Sequence, residues 1–268
     1  MSAGVSTLYG EDAAATLPAG ARYDTVVDNN GKSLDVVGPV IAAARKAGAS
    51  QFLFISSAGV YKTGDELPHL EGDPVKADAE HVLVEDALRS GDMQWSSFRP
   101  QYLTGYGSNK DCEEWFFDRL ARGRALPIPG SGVQLTCVAH AEDIAAMVAC
   151  AVAQPQVAHG RIFNAVADRA ISLDGMARLC AKVAGVEKPN IVHYDPKAAG
   201  VDVKKAFPFR PVHFYSEPRQ AMALLGWAPK WTLEAALRER WDFFQASGRA
   251  KKDKAFELDD QVLAHLKK

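Results

Sequence analysis

Phe54-Ile55-Ser56-Ser57-Ala58-Gly59-Val60-Tyr61 is an apolar strand that empties into a turn of small residues. Working outward, Gln51–Ser56 (QFLFIS) reads as a buried strand, and Leu34–Gly48 before it has helical periodicity closed by a glycine. Tyr23–Asn30 (YDTVVDNN) is a β-branched run ending in a turn. Strand, helix, strand is the pattern of a parallel α/β sheet. Downstream, the spacing predicts a helix over Asp73–Arg89 and a strand over Trp95–Arg99, closed by Pro100. Glu113–Ala121 is amphipathic, and Leu126–Gly132 (LPIPGSG) reads as a Pro/Gly turn. Strands are predicted at Leu135–Ala139 and Arg161–Val166, and helices at Glu142–Ala153, Leu173–Ala184 and Glu234–Phe244. After Gln245, SGRAKKDK reads as a solvated linker, and Phe256–Leu266 as a short amphipathic stretch that docks back.

The 268 residues carry a formal net charge of -2, with 47% hydrophobic and 24% charged side chains, enough for a substantial core. Disordered and disulfide-stapled classes are excluded by these figures. A surface coated throughout in Lys and Arg is excluded too, so any nucleic-acid contact must be a local patch. Cys112, Cys137, Cys150 and Cys180 form no CxxC pair and read as reduced structural thiols. The apolar stretch Ile144–Ala153 is too short to span a bilayer, so no membrane partner is expected. The Ala-rich start lacks the basic and apolar segments of a signal peptide, and no transit peptide is visible.

Four landmarks arrive in order: FISSAGVY, then Phe98-Arg99-Pro100, then GSGVQ before VAHAEDI, then Leu225-Gly226-Trp227-Ala228-Pro229. Together they resemble the later part of an extended short-chain dehydrogenase/reductase of the epimerase/dehydratase branch. The longer stretches SSAGVYKTGDELPHLEGDPVK, FRPQYLTGYGSNKDCEEWFFDRLARGR, PIPGSGVQLT, VHYDPKAAGVDVKKAFPFRPVHFY and FELDD closely resemble the chloroplast stem-loop-binding protein family, the b-type in particular. The similarity runs from about Tyr23 to the C-terminus. It implies an RNA-binding, ribosome-associated protein of the plastid stroma acting in transcript stability and translation. It also implies a metal-dependent endonuclease activity on stem-loops, and a homo- or hetero-oligomer with an a-type relative.

The implied fold is α/β, with a Rossmann-like parallel sheet lacking its N-terminal GxGxxG half and a smaller C-terminal substrate-type lobe. The expected divisions are a flexible arm over 1–22, a partial Rossmann-like domain over 23–103 and a C-terminal lobe over 104–245. The last Rossmann elements, 135–166, interleave with that lobe, and 246–268 is a charged linker with a terminal helix. On the family pattern the chain begins in the fourth strand. Tyr23–Asp28 is therefore expected as an open sheet edge, covered by Met1–Ala21 or by another chain, unless the sequence is an incomplete gene product.

A dinucleotide site needs a glycine-rich turn opening a helix, and GxGxxG is absent, so no bound NAD is expected. Reductase chemistry uses Tyr and Lys as Y-x-x-x-K, the Lys lowering the Tyr pKa. On the family pattern Ala77 and His81 stand in those places. Tyr106 to Lys110 matches the spelling but lies on a loop. Ser56, Ser57 and Tyr61 are left as a vestigial cleft, the serines holding the turn.

RNA contact wants cations interleaved with aromatic rings. Two stretches offer them: Arg99–Arg124, with Arg99, Tyr102, Tyr106, Lys110, Trp115, Phe116 and Arg119, and Lys197–Arg219, with Lys204, Lys205, Phe207, Phe209, Arg210, His213, Phe214 and Tyr215. Trp115 and Phe116 have helical spacing and read equally as core. The basic run Arg249–Lys254 reads as a solvated tail or as a ribosome contact. Nuclease chemistry requires Mg²⁺ held by carboxylates. Asp28, Asn29 and Asn30 at a strand's C-terminal end are the candidates, with Asp65, Asp73 and Asp78 as further acids, although Asp28–Gly31 reads also as a plain turn. Three functions stand: the RNA-binding protein, an NAD(P)-dependent nucleotide-sugar epimerase or dehydratase, and a structural assembly subunit without catalysis.

Overall fold

The computed structural model describes residues 20–107 and 112–267. Strands β1 (Thr25–Asp28), β2 (Gln51–Ile55) and β3 (Gln94–Pro100) alternate with helices α1 (Leu34–Lys46) and α2 (Glu80–Arg89). Short β4 (Tyr102–Thr104), α3 (Glu114–Leu120), β5 (Leu126–Pro129), β6 (Leu135–Thr136) and β7 (Val138–His140) follow. Next come α4 (Ala141–Ala153), α5 (Pro155–Ala158) and β8 (Arg161–Ala165). The chain continues with β9 (Ile171–Ser172), α6 (Leu173–Val183), β10 (Ile191–Tyr194), α7 (Val203–Ala206) and α8 (Arg219–Leu225). It ends with α9 (Leu233–Ala246) and α10 (Glu257–His265).

The main sheet has the order β1-β2-β3-β8, all pairs parallel, as the strand–helix–strand pattern requires. Among the described residues β1 pairs with β2 alone and lies at the sheet edge. The segment expected to cover it, Met1–Ala21, falls almost wholly outside the described residues. Period-2 alternation sorts the sheet's side chains into two cores. Phe52, Phe54 and Trp95 pack with Val37, Ile41, Val84 and Leu88 of α1 and α2. Leu53, Phe98 and Phe163 pack with Ile144 and Met147 of α4 and with Trp227. Helix α1 stops as expected at Gly48, whose φ of 77° accepts the left-handed turn while its N–H bonds Arg45 O.

A third core lies beyond the sheet, where Phe116, Phe117, Leu126, Ile128, Met176, Phe207, Phe209, Leu237 and Phe244 meet. Trp115 and Phe116 are packing residues here, Trp115 donating its indole N–H to Ala206 O at 2.7 Å.

Three sequence expectations are corrected. The helix read over Asp73–Arg89 begins only at Glu80, because Pro74 sits in an irregular segment whose Val75 bridges Tyr61. The stretch read as a Pro/Gly turn contains strand β5, paired in parallel with β10. Leu126 N and Gly130 N both donate to that neighbour, so Pro127 and Pro129 fall on alternate residues whose missing N–H faces away. The segment read as a solvated linker is anchored: Arg249 and Lys254 pair with Asp118, and Arg249 also with Glu114. Asp118 and Glu114 are both buried on α3. This removes the two ends of the Arg249–Lys254 run from any ribosome-facing tail.

The terminal stretch docks as expected. Val262 of α10 packs with Tyr194 and Val201, and Asp259 takes a bidentate pair from Arg119 at 2.7 and 2.8 Å. Both members are buried, and burial lowers the Arg119 pKa against the pull of Asp259. Asp259→Ala leaves that guanidinium without its counter-ion and is expected to cost about 3–5 kcal/mol in urea unfolding. A loss below about 1 kcal/mol would mean that the pair does not hold the C-terminus.

Candidate functional site

The site lies at the carboxyl ends of the parallel strands, where open α/β sheets form crevices. Ser56 N donates to Phe98 O at 2.7 Å, tying the ends of β2 and β3 together. Ser57 Oγ accepts the Gly59 N–H at 3.0 Å and caps the 3₁₀ turn Ala58–Val60, the turn-holding role expected of it. Among the described residues Ser56 Oγ is buried without a hydrogen-bond partner, so of the two serines expected to hold the turn Ser57 alone does so through its hydroxyl.

Tyr61 leaves this turn fully buried. Its hydroxyl donates to Asn164 Oδ1 at 2.7 Å, and its ring stacks on His69 with centroids 4.8 Å apart. Asn164 also donates Nδ2–H to His69 O and its backbone N–H to Glu71 Oε1, so the segment through His69 and Glu71 closes the open side of β8. Burial pushes the Tyr61 hydroxyl up to about 12, Arg99 opposing it. Burial also lowers the His69 pKa, against Asp73, and raises that of Glu71. A phenol so protonated and already donating is poorly disposed to exchange protons near neutrality. Ala77, where the reductase Tyr is expected, is an exposed residue before α2, and His81 lies in the first turn of α2, its pKa lowered by burial.

The expected RNA contacts separate sharply. Arg99 shares the α2 face of β3 with Trp95 and Ser97. There it makes a bidentate pair with Glu85 at 2.6 and 3.1 Å and is 2% exposed. Arg119 is spent on Asp259 and lies 3.6 Å over the Trp115 ring. Neither reaches solvent, which corrects their reading as RNA contacts. Tyr102 packs edge-on against Phe209, and its hydroxyl accepts the Arg210 N–H. It is a scaffold residue for Arg210. Lys110 lies outside the described residues.

Lys204 and Lys205 are exposed on α7, whose first turn Asp202 caps. Arg210 is half-buried at the crevice with its guanidinium 3.8 Å over the Phe214 ring. That guanidinium lies 3.5 Å from the point where a side chain on Gly59 would begin, an ordinary packing distance.

Asp28 is a turn residue: its carboxylate accepts the N–H groups of Asn30 and Gly31 at 3.0 and 2.7 Å. Among the described residues no group of three or more His, Cys, Asp or Glu side chains is placed to hold a metal ion. At Asp28, Asn29 and Asn30, where Mg²⁺ is expected, the Asp28 carboxylate is engaged through Oδ1 in holding its own turn. In the same turn two N–H groups serve Asp28, and a Cβ on Gly31 would lie 2.3 Å from Val37 Cγ2. Three histidines find acidic partners: His69 with Asp73, His140 with Glu239 and His193 with Asp174.

Residues 21–165 match the model of the NAD dependent epimerase/dehydratase family. The chain is 36% identical over 245 residues to the chloroplast stem-loop binding protein of 41 kDa b of Arabidopsis thaliana, covering 90% of this chain and 64% of that protein. An uncharacterized protein of Sinorhizobium fredii is 22% identical over 219 residues, covering 75% and 54%. The chain thus spans less than two thirds of the length of either relative. Among solved structures, RMD from Pseudomonas aeruginosa, complexed with NADPH, has a TM-score of 0.68 at 16% identity, over 87% of this chain and 84% of that one. UDP-glucose-4-epimerase from Stenotrophomonas maltophila, with bound NAD, has a TM-score of 0.68 at 17% identity, over 85% and 77%. Likeness at this level of identity is likeness of fold.

Tyr61→Phe removes the one hydroxyl that answers Asn164 Oδ1 while keeping the ring stack on His69. A loss of about 1–3 kcal/mol in urea unfolding is expected. An unchanged midpoint would show that Asn164 does not depend on this bond.

Proposed function

The chain belongs to the NAD dependent epimerase/dehydratase family, and from that premise we propose that it has left the family's chemistry and binds plastid RNA through the crevice between its lobes. The observation that carries this reading is the state of the crevice. Its phenol, Tyr61, is locked to Asn164, while Arg210, Lys204 and Lys205 stand outside the ion pairs described above. The similarity to a chloroplast stem-loop binding protein supports RNA as the partner and the plastid as the compartment; within it we assign the chain to the stroma.

Each residue then has a physical task. RNA binding is driven largely by neutralising phosphates, with release of condensed counter-ions. Lys204 and Lys205 supply mobile charges on the exposed face of α7. Arg210, held flat on Phe214 and positioned through Tyr102, supplies a fixed guanidinium fork that matches a phosphate. Action on transcript stability and translation, in company with the plastid ribosome, follows as the biological role. Cleavage of the bound RNA is left out, since the described residues supply no ligand set for a metal.

An epimerase or dehydratase reading draws on the same family and fold, yet it needs a proton-transferring couple, and Ala77 and His81 do not make one. The test is filter retention of a stem-loop RNA at fixed salt. Lys204→Glu, Lys205→Glu and Arg210→Glu together are expected to abolish retention. Retention at the wild-type level would place the RNA on another surface.

A further inference from the structure

We propose that Tyr106, backed by Phe243, is a stacking platform for an unpaired base of a stem-loop RNA, a site that rests on the RNA-binding reading and deepens it. The aromatic and basic run over Arg99–Arg124 is largely absorbed by the fold. Arg99 and Arg119 are ion-paired, and Trp115 and Phe116 are packed in the core. Among the described aromatic residues of the run Tyr106 is the exception, with 82% of its surface exposed.

Its outward projection is imposed by the backbone. Tyr106 sits between Gly105 and Gly107, whose φ angles of 111° and 80° side-chain-bearing residues rarely adopt. Gly105 is pressed so closely on the His140 ring that a Cβ there would lie 2.8 Å from Nε2. His140 is itself fixed, stacked on Trp231 at 3.9 Å and bonded to Glu239 at 3.0 Å. The chain thus turns sharply over an immobile ring and presents the phenol to solvent.

The platform also has a rigid back. Phe243 on α9 is 45% exposed and meets the Tyr106 ring edge to face, with centroids 6.3 Å apart and planes at 83°. Behind it, the Arg240 guanidinium lies 4.9 Å from the Phe243 ring and is itself held by Glu113 and Glu114. The edge-to-face contact spends little of the Tyr106 ring and leaves a face open for a π-surface.

The occupant follows from size and setting. A stable protein interface needs about 800 Å² from each partner, far more than one tyrosine face and half a phenylalanine supply. Among the described residues Phe243 is the one large apolar side chain exposed on α9, with Asp242 exposed beside it. A single nucleobase fits that area, and unpaired loop bases are the ones whose faces are free.

The test uses the whole purified chain and two fluorescent RNAs at one salt concentration: a stem-loop with an unpaired loop, and a blunt duplex with the same stem. Tyr106→Ala is expected to weaken stem-loop binding about tenfold, the loss of one base stack, and to leave duplex binding unchanged. Tyr106→Phe keeps the ring and is expected to bind as the wild type does. Equal loss for stem-loop and duplex, or no loss for either, overturns the platform while the RNA-binding reading survives. No binding of either RNA by the wild type overturns both. Unchanged RNA binding with a lower oligomer mass for Tyr106→Ala overturns the platform in favour of a protein contact.

Discussion

A guanidinium buried at the end of a central strand must be answered by a carboxylate, and the pair made by Arg99 and Glu85 organises the sheet and the crevice above it. Strand β3 places Arg99 on the α2 face by simple alternation, and Glu85 on α2 meets it with both oxygens while also accepting the Ser97 hydroxyl. Such a pair adds little net stability against an apolar replacement, but losing one member strands a charge in the interior. It also reaches the crevice. Arg99 lies 4.8 Å over the Tyr61 ring and donates to Glu71 O, and Tyr61 and Glu71 both meet at Asn164 of β8. One buried charge thus joins β3, α2, the Tyr61 turn and β8 in a single polar knot.

That knot has a functional consequence. The crevice end of the sheet is where this family's fold offers a place for small-molecule chemistry, and here Tyr61 is taken up by a hydrogen bond to Asn164 and a ring stack on His69. Tyr61, His69 and Glu71 all carry pKa shifts whose largest cause is burial. Among the groups left facing outward are Lys204, Lys205, Arg210 on Phe214, and Tyr106. A surface of that kind suits a phosphate backbone and an unpaired base better than a hydride acceptor.

The sheet was legible because β-branched and aromatic runs such as TVVD and QFLFI alternate with glycine-closed helices, a pattern carried within each segment. Strand β5 was not, because prolines spell a turn unless the neighbour's register is known, and that neighbour, β10, lies some sixty residues away. The same limit governed the site. Arg99 and Arg119 read as surface cations from their own surroundings. Their answers, Glu85 and Asp259, are 14 and 140 residues distant, and charge alone does not say which way a side chain faces. Arg249 and Lys254 misled in the same way, being partners of buried Asp118 rather than a free tail. The turn role of Ser57 and the packing role of Phe116 were legible because both follow from local spacing.

The most direct measurement is a paired titration of the whole chain, with a stem-loop RNA over a series of salt concentrations and with NADH followed by its fluorescence. The expected result is saturable RNA binding whose logarithm falls linearly with the logarithm of salt, with no change in NADH fluorescence. Saturable NADH binding by a chain that retains no RNA at low salt would contradict the central claim.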